Sequence, residues 1–373
     1  MKQFSLFFLI AVLFSACQSA KQAKANLRKD LQLTTAEKRA FLSSHDQAFQ
    51  AFHARIRDPF IMLGPDNYYY LTGTTAGSHW GDTIGIHLWR SNDLAKWEDM
   101  GFVWDLHKDG KSANSWHFQR TLNERQQGFK NPRAIWAPEI HFLNGTWWIP
   151  HCMNGGGHGL LKSTSGKPEG PYEVLAPVEK RRIDAHLYQE DGNTYYAWQA
   201  DQLVQLKNDL SAPAGNSLKL QHEGNHPLGY EGILLLKLED KYLHIASGRY
   251  GYETTNTYDL YYAVSDKLEG PYGPRRMAIK NAGHGNLFKD KNGRWWSTAF
   301  DHEFSKGWTL WLVPIDIKVT KNDILFAVKD ARFRPNKEDQ KTVQVLAKTG
   351  IPKEWEGKAP WYRPEKNKSI IIK

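Results

Sequence analysis

The chain has 373 residues, a formal net charge of +9 and only two cysteines, with 15 Trp, 16 Tyr and 17 Phe. This length allows a large core, and two cysteines exclude a fold held by a disulfide network. The positive charges form no basic block beside a nucleic-acid-binding motif, so we expect no nucleic-acid partner. The surplus charge serves either solubility or attraction to an acidic polymer or the cell envelope.

The first 16 residues have the form of an export signal. Lys2 gives the positive end, and residues 4–14 form an apolar run too short to span a bilayer. The following Phe14-Ser15-Ala16-Cys17 resembles the bacterial lipoprotein cleavage box, which implies that Cys17 becomes a lipidated first residue. The alternative is a plain signal with an incidental Cys17. We therefore expect an exported envelope lipoprotein, periplasmic or outer-membrane associated, which meets the membrane through its lipid anchor only.

Residues 17–54 are expected to form a polar, basic tether and then a short helical lead-in. Thr34-Thr35-Ala36-Glu37 has the form of a capping box. Apolar residues from Ala40 to Phe52 follow at spacings that allow one or two helices. The lead-in is expected to pack on the next domain or on a partner subunit, which leaves a homodimer open.

Five similar hairpin units follow between residue 55 and about residue 335. Each has a short apolar run, a turn rich in Asn, Asp or Gly, and a second run rich in aromatic or aliphatic residues. The residues that mark the units are Asp58, Pro138, Asp184, Glu231 and His284, and they are 80, 46, 47 and 53 positions apart. A period of about 40–50 residues is typical of propeller blades, and an extra loop at roughly 105–130 lengthens the first step. The sequence therefore predicts an all-β, five-bladed β-propeller over 55–335 with a short helical N-terminal lead-in, and a tail, 336–373, packed on it.

Three acids begin apolar runs in blades one, three and four: Asp58, Asp184 and Glu231. The first strand of a propeller blade lines the central axis, so residues at its start can face one another. Inverting glycoside hydrolysis needs one carboxylate that activates water and one carboxylic acid that protonates the leaving oxygen. A third acid nearby can adjust the pKa of the proton donor by charge repulsion and orient it.

Five short motifs in order resemble the signature set of glycoside hydrolase family 43, whose members are five-bladed propeller enzymes acting on glycans that contain arabinose, xylose or galactose. The resemblance covers most of residues 55–318. The motifs are Arg57-Asp58-Pro59, Trp136-Ala137-Pro138-Glu139, Ile183-Asp184-Ala185, Glu231-Gly232 and Gly283-His284-Gly285.

The resemblance implies that Asp58 is the general base, that Asp184 tunes pKa and orientation, and that Glu231 is the general acid. It places His284 beneath the sugar site, where family members often hold a calcium or water-bound ion. No cofactor is required, and a structural Ca²⁺ near His284 is the one ion expected. The chain departs from the family at Ala185 (usually Pro), Ile233 (usually Pro) and Glu139 (commonly Asp), which leaves subfamily and substrate open.

Each candidate also has a purely structural interpretation. Asp58 could cap a turn, Asp184 could pair with an arginine beside it, Glu231 could be a solvated strand end, and His284 could fill space. Cys152 lies in an aromatic run and is expected to be a buried structural thiol. The candidate sugar-contact residues, which could instead pack between blades or in loops, are Trp80, Trp116, Trp136, Arg249 and His302.

The sequence therefore predicts an inverting glycosidase that releases sugars of the arabinose, xylose or galactose type from plant or algal polysaccharides or oligosaccharides. Two alternatives stay open. The lead-in is slightly similar to the dimerising arm of family 117 anhydrogalactosidases, which would imply exo-acting 3,6-anhydrogalactosidase activity. A surface glycan-binding lipoprotein without catalysis is the other.

Overall fold

The computed structural model describes residues 33–75, 83–110, 116–117, 134–153, 157–179, 182–223, 228–248, 257–300 and 309–349. The export signal lies outside these residues, as does most of the loop at 105–130. So do four of the candidate residues, Cys17, Trp80, Arg249 and His302. Neither helix in the described ranges combines the length and apolarity that crossing a membrane requires.

The described residues form five antiparallel sheets, and each sheet is one blade of the predicted five-bladed propeller. Blade one contains β2 (Arg57–Leu63), β3 (Tyr69–Thr74), β4 (Gly85–Ser91) and β5 (Glu98–Asp105). Blade two contains β6 (Ile135–Trp136), β7 (His141–Leu143), β8 (Thr146–Met153), β9 (His158–Ser163) and β10 (Tyr172–Glu179). Blade three contains β11 (Ala185–Glu190), β12 (Asn193–Trp198), β13 (Gln202–Gln205) and β14 (Leu218–Lys219).

The last two blades follow the same plan. Blade four contains β15 (Glu231–Leu238), β16 (Lys241–Gly248), β17 (Asp259–Ser265) and β18 (Arg276–Ile279). Blade five contains β19 (Leu287–Lys289), β20 (Trp295–Phe300), β21 (Thr309–Thr320), β22 (Asp323–Val328) and also β1 (Phe49–Arg55) from the other end of the chain. The turns predicted at Asn144-Gly145 and Asp191-Gly192 have positive φ at both residues, as two-residue hairpin turns require.

The N-terminal segment starts with a helix but ends as a strand. Helix α1 (Thr35–Ser44) begins with the predicted capping box, in which Thr34 accepts a hydrogen bond from the Glu37 backbone and Glu37 accepts one from Thr34. The expectation of helix through Phe52 is wrong beyond α1, because β1 starts at Phe49 and pairs with β21 in the register Phe49↔Leu312. The propeller therefore begins before residue 55. The spacing of Phe49 and Phe52 alone does not distinguish a helix from a strand. The partner strand β21, which makes this segment a strand, lies far away in the sequence.

Helix α1 packs on its own propeller. The buried Lys38 ammonium donates to the carbonyl of Ala51 over 2.9 Å, and the Phe41 ring stacks on Phe49 with centroids 5.8 Å apart. Leu42 is buried in the same cluster as Phe49. The buried side of α1 is therefore covered by its own chain.

A second connection joins blade five to blade one close to the axis. The side chain of Asn286 accepts a hydrogen bond from the Ile61 backbone N–H over 3.0 Å and donates one to the Ile61 carbonyl over 2.8 Å. Both residues are buried. The Thr298 hydroxyl adds a bond to the Pro59 carbonyl over 2.7 Å. The Asn286 amide thus bonds to the backbone of Ile61 as a neighbouring strand would, and it links blade five to blade one on the inner side of the propeller.

The core consists of clusters between neighbouring blades. Trp104 of blade one and Ile149 of blade two share one cluster, and Trp148 of blade two shares the next with Tyr196 of blade three. Trp104 and Tyr196 are almost fully buried, and each buried aromatic side chain of this size contributes about 1.5–3 kcal/mol. Packing of this kind fixes the blades, and with them the ends of their inner strands.

Helix α2 (Lys337–Thr349) covers the outer edge of blade four. The Gln340 side chain both accepts from and donates to the backbone of Met277 in β18, at 3.1 and 2.7 Å. Lys280 pairs with the fully buried Asp339 at 3.4 Å. This contact protects an edge strand. The tail was expected to pack on the propeller, and it does so as far as α2, whereas residues 350–373 lie outside the described ranges.

Candidate active site

The candidate acids all lie at the start of the innermost strand of a blade. Asp58 is the second residue of β2, Asp184 precedes β11 directly, and Glu231 is the first residue of β15. Asp58 and Asp184 have φ of 49° and 57°, in the left-handed region that non-glycine residues rarely adopt. Backbone strain of this kind tends to occur at functional sites, where the surrounding structure fixes side-chain direction.

His284, the axial histidine, lies between two of these acids. Its Nδ1 atom is 3.6 Å from Asp58 Oδ1 and 3.4 Å from Asp184 Oδ2, so the two oxygens lie within about 7 Å of one another. The ring can come this close because Gly232 has φ of 68° and no side chain: a Cβ there would be 2.6 Å from the imidazole. The arrangement places two carboxylates and an imidazole in one buried group.

Asp58 is held by a chain of two hydrogen bonds. The Thr74 hydroxyl donates to Asp58 Oδ2 over 2.7 Å and itself accepts from the Ala137 backbone N–H over 2.8 Å. Thr74 belongs to the next strand of blade one and Ala137 to blade two. Two blades therefore fix the carboxylate, while its other oxygen faces the axial histidine.

Asp184 is buried, and burial is the main reason that its pKa is raised to about 8. The negative charges of Glu231 and Asp58 raise it further, while His284 opposes them. Burial alone would lower the pKa of His284, but the surrounding carboxylates raise it above its ordinary value. The protonated forms of Asp184 and of His284 are therefore both favoured. Asp184 Oδ2 also accepts from the Gly232 backbone N–H over 3.2 Å, which ties it to the residue after Glu231.

Glu231 has a hydrogen-bond partner that sequence reasoning missed. The hydroxyl of Tyr258, one residue before β17, donates to Glu231 Oε1. Tyr258 is buried and packs edge-on against Phe300, with centroids 6.0 Å apart. Glu231 and Tyr258 are 27 positions apart and no local pattern links them, so only the folded blade shows the contact.

Cys152 confirms the expectation of a buried thiol, and it also adjoins the candidate acids. Its Sγ atom is 3.7 Å from Asp184 Oδ1 and 3.3 Å from the Trp136 carbonyl. The side chain is fully buried, and burial raises the pKa of the thiol well above its ordinary value. A neutral, weakly donating thiol therefore forms part of the wall around Asp184.

The structure gives the two described tryptophan candidates packing contacts. Trp136 is only 9% exposed and belongs to an apolar cluster with Ala134, Ala137 and Cys152. Trp116 stacks on His117 with ring centroids 3.8 Å apart. Trp116 thus has one ring face covered by His117, and Trp136 is largely buried, so that sugar contact by either residue stays a prediction.

A second buried group adjoins the cavity that the axial histidine lines. Glu139 Oε2 is 2.8 Å from both His141 Nε2 and His186 Nδ1. Burial would raise the pKa of Glu139, but the two imidazoles lower it to about 2. These three residues offer the donor atoms of a metal site. At the axial histidine, Asp58 and Asp184 offer the carboxylate oxygens that calcium prefers, and the imidazole offers a nitrogen beside them.

Comparisons with known proteins give one family match and several relatives of low sequence identity. The family model for glycosyl hydrolases family 43 matches residues 52–309. A β-D-galactofuranosidase, xynD, of Aspergillus niger is 26% identical over 243 residues, which cover 60% of this chain and 67% of that protein. A xylan 1,3-β-xylosidase of a Vibrio species is 24% identical over 270 residues, or 64% of this chain, and the match spans only 46% of the relative.

Solved structures share the fold at low sequence identity. An exo-1,5-α-L-arabinanase from a bovine ruminal metagenomic library has a TM-score of 0.56 and 19% identity, and the match covers 76% of this chain and 98% of that one. An endo-arabinase from Bacteroides thetaiotaomicron has a TM-score of 0.54 and 21% identity, with 72% and 96% covered. At these identities the likeness concerns the arrangement of blades.

Proposed function

The chain belongs to glycosyl hydrolase family 43, an inverting family, and on that premise we propose that it releases sugars of the arabinose, xylose or galactose type from plant or algal polysaccharides or their fragments. One observation supports the residue assignment above all. Asp58 and Asp184, from two blades, lie 3.6 and 3.4 Å from the axial histidine, and Glu231, from a third blade, is near enough to raise the pKa of both Asp184 and that histidine. Separate structural reasons for each residue would not bring them together at one point.

Asp58 and Glu231 perform the two proton transfers of this proposal. A water molecule attacks the anomeric carbon and gives its proton to Asp58, while Glu231 gives a proton to the glycosidic oxygen as the carbon–oxygen bond breaks. The water oxygen becomes the new anomeric hydroxyl on the opposite face. Thr74 keeps Asp58 in place for the first transfer, and Tyr258 holds one oxygen of Glu231 so that the other is directed to the leaving group.

Asp184 and the axial histidine orient this pair. The hydrogen bond from the Gly232 N–H to Asp184 fixes the peptide that follows Glu231. The imidazole lies 3.6 Å from Asp58 and 3.4 Å from Asp184 and so links the two carboxyl groups. Together they form a fixed polar floor below the sugar, and preorganised charge of this kind is a large part of catalysis.

The product of the reaction is the direct test. We would incubate the wild-type protein with arabinan, arabinoxylan, galactan, agar and carrageenan fragments and identify the sugars released. Glu231→Gln is expected to lose release by at least about 100-fold. Glu173→Gln removes a half-exposed carboxylate that is paired with Lys162 at 3.8 Å on the surface of blade two, and it is expected to keep full activity.

Each outcome has a clear meaning. Free arabinose, xylose or galactose that disappears in Glu231→Gln supports the proposal and names the substrate. Release of 3,6-anhydrogalactose from agar or carrageenan would favour the family 117-like alternative. Binding of a glycan by both proteins without any product would refute the catalytic assignment and leave a glycan-binding protein.

Envelope attachment is a separate part of this proposal. We propose that Cys17 is lipidated and that the protein is exported and anchored by acyl chains, as the apolar run before Cys17 suggests. A Cys17→Ser variant is expected to move from the membrane fraction to the soluble envelope fraction. An unchanged membrane fraction in the variant would refute the anchor.

A homodimer through the exposed face of α1 is a further proposal. Light scattering on the purified protein measures whether it is a monomer or a dimer.

A further inference from the structure

A buried group of two histidines and one glutamate lies beside the axis and has no role in the reaction described above. Glu139 follows the Trp-Ala-Pro motif, His141 begins β7, and His186 lies on β11. Glu139, His141 and His186 are 6%, 9% and 3% exposed. Blade two supplies the first two residues and blade three supplies the third, so the group bridges two blades.

The atoms of this group converge on one point. Glu139 Oε2 is 2.8 Å from His141 Nε2 and 2.8 Å from His186 Nδ1, and all the potential ligand atoms lie within 4.8 Å of one another. Ligand atoms around a four-coordinate zinc ion are about 3.3 Å apart, given bonds of about 2.0–2.1 Å. A metal ion therefore requires the two short contacts to lengthen by about half an ångström. It also requires the two imidazole nitrogens, which lie within 4.8 Å of one another, to approach by up to about 1.5 Å. Side-chain rotation can provide both movements.

The donor set identifies the class of ion. Two imidazole nitrogens and one carboxylate oxygen are the ligands of zinc and similar divalent transition metals, whereas calcium and magnesium prefer oxygen ligands alone. Each imidazole would bind the ion through the nitrogen that now faces Glu139. This site is distinct from the calcium expected at the axial histidine, because it uses different residues and different chemistry.

A small cavity and an aromatic ring border this group. Glu139 lines a cavity of ≈ 10 Å³ together with Asp58, Phe60 and the axial histidine, which is room for about one water molecule. The Phe60 ring lies 4.8 Å from the His141 ring and 6.4 Å from the His186 ring. Three protein ligands with one water is a frequent arrangement for zinc.

We propose that Glu139, His141 and His186 bind one divalent transition-metal ion, with zinc as the first candidate, which fastens blade two to blade three below the catalytic carboxylates. The alternative is a closed hydrogen-bonded group that binds no metal, in which both imidazoles simply donate to the same carboxylate oxygen. Metal binding here does not depend on the reaction proposed above, and it can be tested without any substrate.

The test uses full-length untagged protein, because a histidine tag would itself bind zinc. After dialysis against a chelator, the protein is titrated with Zn²⁺ by calorimetry, and its metal content and melting temperature are measured. We expect about one ion per chain and a melting temperature several degrees higher with Zn²⁺. Glu139→Gln and His186→Asn should each weaken binding by about 100-fold, whereas His222→Gln, in the separate pair His222–His244, should leave it unchanged.

A second measurement does not rely on variants that could fail to fold. Crystals of the wild-type protein grown with Zn²⁺ are measured at the zinc absorption edge, and an anomalous peak is expected between Glu139, His141 and His186. A peak elsewhere, or retention of the ion by correctly folded Glu139→Gln, would overturn the assignment. So would a wild-type protein that binds no zinc in the titration and shows no change in melting temperature.

Discussion

The substitution Asn286→Ala tests whether the Asn286 amide stabilises the contact between blades five and one. This change removes two hydrogen bonds to the backbone of Ile61, at 3.0 and 2.8 Å, and leaves a buried N–H and a buried carbonyl without their partner. An unsatisfied buried polar group costs about 1–3 kcal/mol. We therefore expect a loss of about 2–5 kcal/mol in the free energy of unfolding. In a domain of this size that corresponds to a fall of about 4–10 °C in melting temperature.

The assay is urea unfolding followed by two probes, tryptophan fluorescence and far-ultraviolet circular dichroism, so that a two-state transition can be verified. The matched control is Asn193→Ala, which removes one exposed hydrogen bond from Gln205 to an asparagine at 3.0 Å. The control should change stability by no more than about 0.5 kcal/mol.

A result in which Asn286→Ala behaves like the control would refute this reasoning. It would mean that water satisfies Ile61 as well as the amide does, and that the strand β1 alone closes the ring. If Asn286→Ala loses stability while Asn193→Ala keeps the melting temperature of the wild type, the Asn286 amide is supported as a specific link between blades five and one.

Three further predictions concern the axis and the surface between blades. Gly232→Ala should abolish activity and lower stability, because the new Cβ would be 2.6 Å from the axial histidine. The control Gly192→Ala places its Cβ where no atom lies within 4 Å, so it should lower the free energy of unfolding by only about 1 kcal/mol, for its positive φ. Both are measured by turnover and melting temperature, and equal losses would contradict the steric argument. Tyr258→Phe should slow cleavage of natural glycosides by about 10–100-fold, because it removes the hydrogen-bond donor to Glu231. Cleavage of aryl glycosides with good leaving groups should slow much less. An equal loss of rate on both kinds of substrate would mean that the substitution disrupts the site in general. Burial lowers the pKa of His222 from 6.5 to about 4, so the folded state resists its protonation, and stability is lost as pH falls from about 6.5 toward 4. Between pH 6.5 and 5, the free energy of unfolding of His222→Gln, measured in urea, should therefore fall by about 1–2 kcal/mol less than that of the wild type. An equal dependence of this free energy on pH in the two proteins would contradict the prediction.

Much of the fold could be predicted because its signals are local. The turns at Asn144-Gly145 and Asp191-Gly192 indicate hairpins. The spacing of the residues that mark the five hairpin units gives the number of blades. The capping box at Thr34 likewise indicates the start of α1. Each of these signals depends on residues within a few positions of one another, which is the range in which sequence patterns are informative.

What could not be predicted depends on contacts between distant parts of the chain. Phe49 is in a strand because β21 lies beside it, and a period of two cannot be distinguished from a helical period in so short a segment. Tyr258 reaches Glu231 only after blade four has formed. The approach of His186 to Glu139 likewise requires two blades to be placed side by side. The candidate acids were foreseen by position, but their partners were not.

The pairing of Phe49 with Leu312 also has a consequence for the timing of synthesis. The two strands are separated by more than 260 residues, and a ribosome that adds about 5–20 residues per second needs roughly 13–50 s to make that length. During this time the first strand of the sheet has no partner, and blade five cannot be completed by local contacts. Closing so large a loop is slow even in the finished chain. Newly made protein therefore spends its early life as an open arc of blades with an unpaired edge, and chaperone demand should fall sharply once the last blade captures the first strand.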